Sequence, residues 1–195
     1  MPIANFLISK ILNYIRQETQ HNEDDIDTMR FSLESILWEI EKIIYIFVIF
    51  LIFGLHWHFL AALLVLTSIR SFAGGFHAST QWRCFFWTLL GFVLAFFVLP
   101  LIPPSDVVVV LASLFAVGVT FIAAPLRSLQ MEEIADKSKD KHKKYIAVII
   151  TIFWFVIIFL NQSYFLAIVA MWVIFLQNLQ LLIEYYRRKS MDVLR

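Results

Sequence analysis

Cysteine is nearly absent from this sequence of 195 residues, since Cys84 is the only one. A single thiol cannot form a disulfide within the chain, and it excludes a structural zinc site built on several thiolates. The first residues also lack the basic start, long apolar core and small-residue cleavage site of a secretory signal peptide. We therefore expect no disulfide framework, metal ion, cofactor or removable leader.

Charged side chains are also scarce. They make up 16% of the residues, against about 25% in soluble domains, whereas hydrophobic residues make up 61%. A soluble domain of this length has too little interior to bury so many apolar side chains. The formal net charge of +1 gives no basic excess for binding nucleic acid. The composition therefore predicts a membrane protein with no nucleic-acid partner.

The apolar residues fall into long runs. Six runs predict transmembrane helices, at about residues 36–55, 57–69, 85–99, 107–124, 145–160 and 164–183. Before them, the apolar side chains of residues 3–17 recur on one helical face, which predicts an amphipathic helix in the membrane interface. Residues 17–27 are rich in acids and are not expected to be buried.

These elements predict an all-α integral membrane protein with one membrane domain, residues 1–195. We divide it into an amphipathic and polar N-terminal segment (1–30), a six-helix bundle (31–184) and a basic C-terminal tail (185–195).

The distribution of basic residues predicts the orientation. All but one of the 16 Lys and Arg residues lie in the N-terminal region, the second-to-third and fourth-to-fifth connections or the C-terminal tail. Because basic residues favour the cytoplasmic side, we predict a cell-membrane protein with both termini and both basic connections in the cytoplasm. The exception is Lys42, inside the first predicted span, and the neighbouring acids are its expected local partners.

The second-to-third connection carries the residues that suggest chemistry. His77 precedes Cys84 by seven positions, and a cysteine thiolate beside an imidazole base is a common nucleophile. On one continuous helix the two would lie about 10 Å apart along the axis, too far for a hydrogen bond. Gly74 and Gly75 predict instead a loop that carries His77.

After that loop, we predict a new helix that begins near Thr80, with Ser79 or Thr80 as its cap. Cys84 then falls in or just after the first turn, where the helix dipole and Arg83 favour a thiolate. The alternative for Cys84 is a small apolar filler, which is the usual role of a lone buried cysteine.

The depth of this connection is unusual. From Trp57 to Arg70 is about 20 Å of helix, against a hydrocarbon core of roughly 30 Å. We therefore expect Arg70 and Cys84 to lie below the inner membrane surface, in a recessed pocket. A charge at that depth normally has a functional partner, although Arg70 as an interface anchor is the alternative.

The pattern formed by Arg70, Gly74-Gly75, Phe76-His77-Ala78 and Cys84 resembles the accessory gene regulator protein B (AgrB) family. The resemblance extends over essentially the whole chain, from the amphipathic N-terminus and Glu34 to an Ala124-Pro125 pair and a basic fourth-to-fifth connection.

The resemblance implies a membrane cysteine endopeptidase of Gram-positive bacteria that matures a quorum-sensing propeptide. This substrate has an amphipathic leader, a central signal sequence and a charged tail. Cys84 would cleave before the tail and form a thioester, from which a thiolactone ring closes, and His77 would act as base and then acid. The resemblance also implies a homodimer in the lipid bilayer.

Several roles stay open at this point. Glu34 is our candidate for orienting His77 or pairing with Arg70, and Gly74 and Gly75 shape the loop. In the basic connection, five lysines either bind the propeptide's tail or signal the topology: Lys137, Lys139, Lys141, Lys143 and Lys144. After Pro125 the chain departs from the family's usual acidic and Asn-Lys-Pro run, which affects substrate recognition. A non-catalytic membrane scaffold and a small transporter or peptide exporter are the alternative functions.

Overall fold

The computed structural model of the chain describes residues 6–11, 13, 23–75, 80–102, 104–126, 137–161 and 163–193. Most of the described residues lie in helices, and none of them belongs to a β-strand. Residues 6–11 form a short helical segment, and six longer helices follow: α1 Glu23–Ile52, α2 His56–Ala73, α3 Gln81–Val93, α4 Asp106–Ala123, α5 Lys137–Leu160 and α6 Phe165–Val193. The helix α3 continues as a π-helical turn, Leu94–Val98, and a 3-10 turn, Leu99–Leu101.

Four of these helices are long and apolar enough to cross a membrane: Gln81–Leu101, Asp106–Ala123, Asp140–Leu160 and Phe165–Met191. They confirm the all-helical class and the membrane character. The helix α1 differs because Glu39, Glu41 and Lys42 lie in its apolar half. The helix α2 has only 18 residues, with two histidines and Arg70 among them. Six spans and cytoplasmic termini therefore stay predictions.

The helix α6 is the centre of the bundle. It packs against α2, α4, α5 and the end of α3, whereas α1 contacts only α2 and α3 closely. Accordingly, Met171, Ile174 and Leu181 of α6 are completely buried. Aromatic rings join α1, α2 and α3, with the Phe50 and Phe59 centroids 5.1 Å apart. Such pairs add stability beyond the area they bury.

The N-terminal region differs from the sequence prediction. The helix α1 begins at Glu23, and Ile26 is only 4% exposed, so the expectation that residues 17–27 are not buried is wrong at this position. The physical reason is a small apolar cluster in which Ile8 of the N-terminal helical segment packs with Ile26. The predicted segment boundaries at residues 30 and 184 fall inside α1 and α6.

The helix α2 runs one turn beyond the predicted end and passes through Arg70 to Ala73. Gly74 ends it with φ of 78°, a left-handed conformation that favours glycine. Eighteen residues make α2 about 27 Å long. Arg70 therefore lies one turn before the helix end, near the start of the connection that leads to Cys84.

Candidate active site

The start of α3 positions Cys84. Thr80 is the N-cap, and its Oγ1 accepts a hydrogen bond from the Arg83 backbone N–H at 3.4 Å. The Cys84 N–H donates to the Thr80 carbonyl at 3.1 Å, so Cys84 completes the first turn. The predicted helix start near Thr80 is therefore confirmed. The Cys84 carbonyl accepts from Thr88 Oγ1 at 2.9 Å, and the cysteine is half-buried.

A lysine from another helix contacts the cysteine. Lys42 Nζ of α1 lies 3.7 Å from Cys84 Sγ, and the lysine side chain is only 3% exposed. The same ammonium donates to Glu39 Oε2 at 2.6 Å. Tyr45, three residues after Lys42 on α1, and Phe85, next to Cys84 on α3, pack edge to face with ring centroids 6.5 Å apart. This aromatic contact holds α1 against α3 beside the lysine.

The pair of Lys42 and Glu39 agrees with the expected local partners, but sequence reasoning missed the contact with Cys84. The relevant signal was present, because Lys42 is the one basic residue inside a predicted span. An ionisable residue at membrane depth normally has a partner with a function.

Gly74 and Gly75 allow two close approaches. A Cβ on Gly74 would overlap the Leu126 carbonyl oxygen, and a Cβ on Gly75 would lie 2.9 Å from Arg70 Nε. Leu126 N donates to the Ala73 carbonyl at 2.9 Å, and Leu126 and Gly74 form an isolated parallel bridge. Any side chain at either glycine would therefore displace a neighbour.

A third element holds the glycine pair from the bundle side. Gln177 of α6 is buried, and its Nε2 donates to the Gly74 carbonyl at 3.1 Å. A cavity of about 30 Å³ opens between α2, α3 and α6, and its polar lining comes from Arg70, Thr88, Gln177 and Gln180. Arg70 is thus half-buried beside polar groups within the bundle, as well as against Gly75.

Other predicted residues lie elsewhere. His77 is outside the described residues. Glu34 Oε1 accepts a hydrogen bond from Arg30 Nε at 2.9 Å. The suggested roles of Glu34, orienting His77 or pairing with Arg70, stay predictions. Arg83 is exposed, although we expected it to favour the thiolate.

The five lysines of the basic connection lie in the first turns of α5. The side chains of Lys137 and Lys139 are outside the described residues. Lys141 and Lys143 are exposed, whereas the Lys144 ammonium lies 4.4 Å from the centroid of the Phe121 ring, a cation–π contact. Three of the five side chains are therefore described, and two of these face away from the bundle.

Comparison with known proteins places most of the helical region in one family. The sequence model of the family "Accessory gene regulator B" matches residues 8–181, which include α1 to α5 and most of α6. A Clostridium beijerinckii protein named "Putative AgrB-like protein" is 27% identical over 164 residues, which are 82% of this chain and 79% of that protein. No solved structure matches the chain. On the extent of the family match, the chain belongs to the accessory gene regulator B family.

Proposed function

We propose that the chain is a membrane cysteine endopeptidase that removes the charged C-terminal tail of a quorum-sensing propeptide. Family membership suggests a part in processing an autoinducing peptide. The observation that carries the proposal is the setting of Cys84. The only thiol of the chain lies in the first turn of a helix, half-buried, with a buried ammonium 3.7 Å from its sulfur.

This setting suits a nucleophile. The positive end of the α3 dipole and the nearby ammonium both stabilise a thiolate, which is the reactive form of cysteine. In the proposed first step, Sγ attacks the carbonyl carbon before the tail. The C–N bond then breaks, the tail leaves as an amine after taking up a proton, and the rest of the propeptide is held on Cys84 as a thioester.

In the second step, a nucleophilic side chain within the propeptide, a thiol for a thiolactone, attacks the thioester carbonyl. The proton of the attacking thiol passes to His77, the new S–C bond closes the ring, and the bond to Cys84 breaks. Because water would hydrolyse the thioester, the reaction needs a site that limits the access of water. The half-buried position of Cys84 between α1 and α3 supports that requirement.

We assign the proton transfers to His77. It would take the proton of the Cys84 thiol and give one to the leaving amine. The described residues nearest to it in the sequence are Gly75, which lies against Arg70, and Thr80, the N-cap of α3. Loss of a general base costs about 10²–10⁴-fold, so cleavage by His77→Ala at the parent rate would remove it from the mechanism.

We also propose that the basic start of α5 binds the tail, which resemblance to the family suggests is acidic. The support is the link between Leu126 and Ala73, because it holds the chain just before the basic connection against the end of α2, close to Gly74. Exposed Lys141 and Lys143 are available for an acidic peptide. Anionic lipid would compete for the same cations.

For the topology, we propose six spans with both termini and the site on the cytoplasmic side, in a homodimer. The six helices α1 to α6 and the basic residues at the predicted inner connections support this arrangement. A reporter in residues 137–144 should signal cytoplasm, and one near residue 103 should signal the exterior. The reverse result would overturn the orientation. Chemical cross-linking in the membrane should give a dimer band, and a monomer alone would contradict the homodimer.

The alternative functions receive less support. A transporter would need polar residues along α4–α6, and the uncharged candidates in the sequence are Thr120, Thr151, Asn178 and Gln180. Thr120 donates to Asn178 at 2.8 Å, and Thr151 donates to the Ala147 carbonyl. Their hydrogen bonds are made within the bundle, so these groups do not point to a transport path. A scaffold would need no activated thiol, so the effect of removing Cys84 distinguishes a scaffold from a peptidase.

The test is co-expression of the chain with its propeptide and mass spectrometry of the products. Cys84→Ala should release no tail while still inserting into the membrane, because the variant has no thiol. Ser113→Ala on α4, which removes only an exposed hydroxyl bonded to its own helix, is the matched control and should cleave normally. Undiminished cleavage by Cys84→Ala would overturn the peptidase function.

A further inference from the structure

The ammonium of Lys42 is unusual among the cations of this chain. It is buried in the contact between α1 and α3, inside a predicted span, whereas the other basic residues lie in predicted connections and termini. Burying an unpaired charge is strongly unfavourable, so such a group needs partners. Lys42 has two among the described residues, the Glu39 carboxylate and the Cys84 sulfur.

The direction in which the Lys42 side chain points indicates its role. Lysines near a membrane surface usually extend their flexible stem so that the ammonium reaches water. Glu39, half-exposed and one turn earlier on α1, could hold Lys42 in such an outward position. The ammonium is instead nearly completely buried while it keeps the Glu39 contact, and its inward neighbour is the sulfur of a different helix.

We propose that Lys42 is a catalytic residue that acts as the cationic partner of the Cys84 thiolate, and that Glu39 holds the Lys42 ammonium in place. This inference rests on the proposed function and adds a residue to its mechanism. In this mechanism Lys42 transfers no proton in either step. Its charge, at 3.7 Å from Sγ, stabilises whatever negative charge the sulfur carries.

The same contact serves both steps of the reaction. Before the first step, the thiol proton goes to His77, and the thiolate that remains is paired with Lys42. In the thioester the sulfur is neutral, and the ammonium retains Glu39. When the ring closes, the S–C bond to Cys84 breaks and its electron pair stays on Sγ, again as a thiolate beside Lys42. The cation therefore favours both the attack of Cys84 and its departure.

The rate at which Cys84 reacts with iodoacetamide tests the charge directly, because the chain has no other thiol. The assay uses the purified full chain in detergent at neutral pH and needs no propeptide. We expect Lys42→Met, of similar length and without charge, to slow alkylation on the order of tenfold or more. Lys42→Arg should keep most of the parent rate. Lys189→Met, which removes an exposed cation at the far end of α6, should not change it.

The direction of the change in the Cys84 alkylation rate separates a charge effect from a packing effect. If Lys42 only filled space between α1 and α3, its loss would loosen the contact and expose Cys84, so alkylation would be unchanged or faster. That result overturns the proposal, as does an equal slowing in Lys42→Met and Lys42→Arg. Lys42→Gln provides a second neutral variant if Lys42→Met does not fold, and it should also be slow.

Failure of this inference and failure of the proposed function give different results. If Cys84→Ala abolishes cleavage but Lys42→Met alkylates at the parent rate, the peptidase function stands and the role of Lys42 is wrong. If Lys42→Met slows alkylation but Cys84→Ala still cleaves, the charge contact is real but the peptidase mechanism is wrong.

Discussion

The two halves of the bundle use buried polar groups differently. In α4–α6, the uncharged Thr120 and Asn178 bond to each other, and the buried carboxylate of Glu184 is held by Arg187 and Arg188 of its own helix at 2.8 and 3.0 Å. In α1–α3, the buried ammonium of Lys42 crosses to another helix and contacts a thiol.

This difference distinguishes buried polar groups that only stabilise the fold from those that can take part in a reaction. A buried polar pair that satisfies itself joins helices and leaves nothing to react. A buried charge beside a nucleophile can change its reactivity, and this is what a membrane enzyme needs at its site. Thr120, Asn178 and Glu184 therefore belong to a structural frame, whereas Lys42 and Cys84 form the candidate active site.

Among changes outside Cys84, His77 and Lys42, the largest expected effect comes from Gly74, the glycine that joins the two halves. Gly74→Ala places a Cβ on the Leu126 carbonyl and forces alanine into a conformation that is essentially restricted to glycine, φ 78° and ψ −162°. Such backbone costs about 1–3 kcal/mol, so propeptide cleavage should fall about 10- to 100-fold. The tail released over time, measured by mass spectrometry, gives the rate.

Gly118→Ala on α4 is the matched control for this change. No atom lies within 4 Å of the position that its Cβ would take, and the residue is helical, so cleavage should be unchanged. Equal losses in both variants would mean that the glycine contacts at the site have no special role.

A smaller effect is expected from the basic start of α5. Changing Lys137, Lys139, Lys141, Lys143 and Lys144 to Gln should weaken propeptide binding about tenfold, because a few cations near an acidic tail lose their attraction. Added salt should weaken binding by the parent chain as well. Cys84 should alkylate at the parent rate, because its contacts come from α1 and α3. Unchanged binding across salt concentrations would leave these lysines as topology signals.

The smallest effect on activity is expected from a change in the structural frame, at the hydrogen bond between Thr120 and Asn178. Thr120→Val removes the donor to Asn178 between α4 and α6, which should lower the free energy of unfolding by about 1 kcal/mol. Unfolding in detergent gives this value, and Cys84 alkylation before the transition should be unchanged. A large change in the alkylation rate would show that the two halves are not separate in function.

Local features were predictable from the sequence. The start of α3 at Thr80 follows from a polar cap before an apolar run, and the glycine pair marks a break in the helix. The ends of the helices were harder to predict from the sequence. Hydropathy finds the apolar part of α1 and α6, but both helices continue through polar residues, to Glu23 and Val193.

The contact between Lys42 and Cys84 was beyond sequence reasoning for a physical reason. The residues are 42 positions apart, and only the packing of α1 against α3 brings them together. The approach of Leu126 to Gly74 is similar, since it depends on how α4 ends beside α2. In both cases the sequence marked one residue as unusual, Lys42 as a charge inside a span and Gly74 as part of a glycine pair. It did not identify the residue that each one contacts.

The central claim is that Cys84 carries the propeptide as a thioester. A propeptide whose ring-forming side chain is replaced by alanine cannot close the ring, so the intermediate should accumulate. Intact-mass spectrometry of the chain after mixing should show an adduct equal to the propeptide without its tail. This adduct should be on Cys84, be released by hydroxylamine and be missing in Cys84→Ala. Release of the tail with no adduct at any time, or an adduct on Cys84→Ala, would contradict the account.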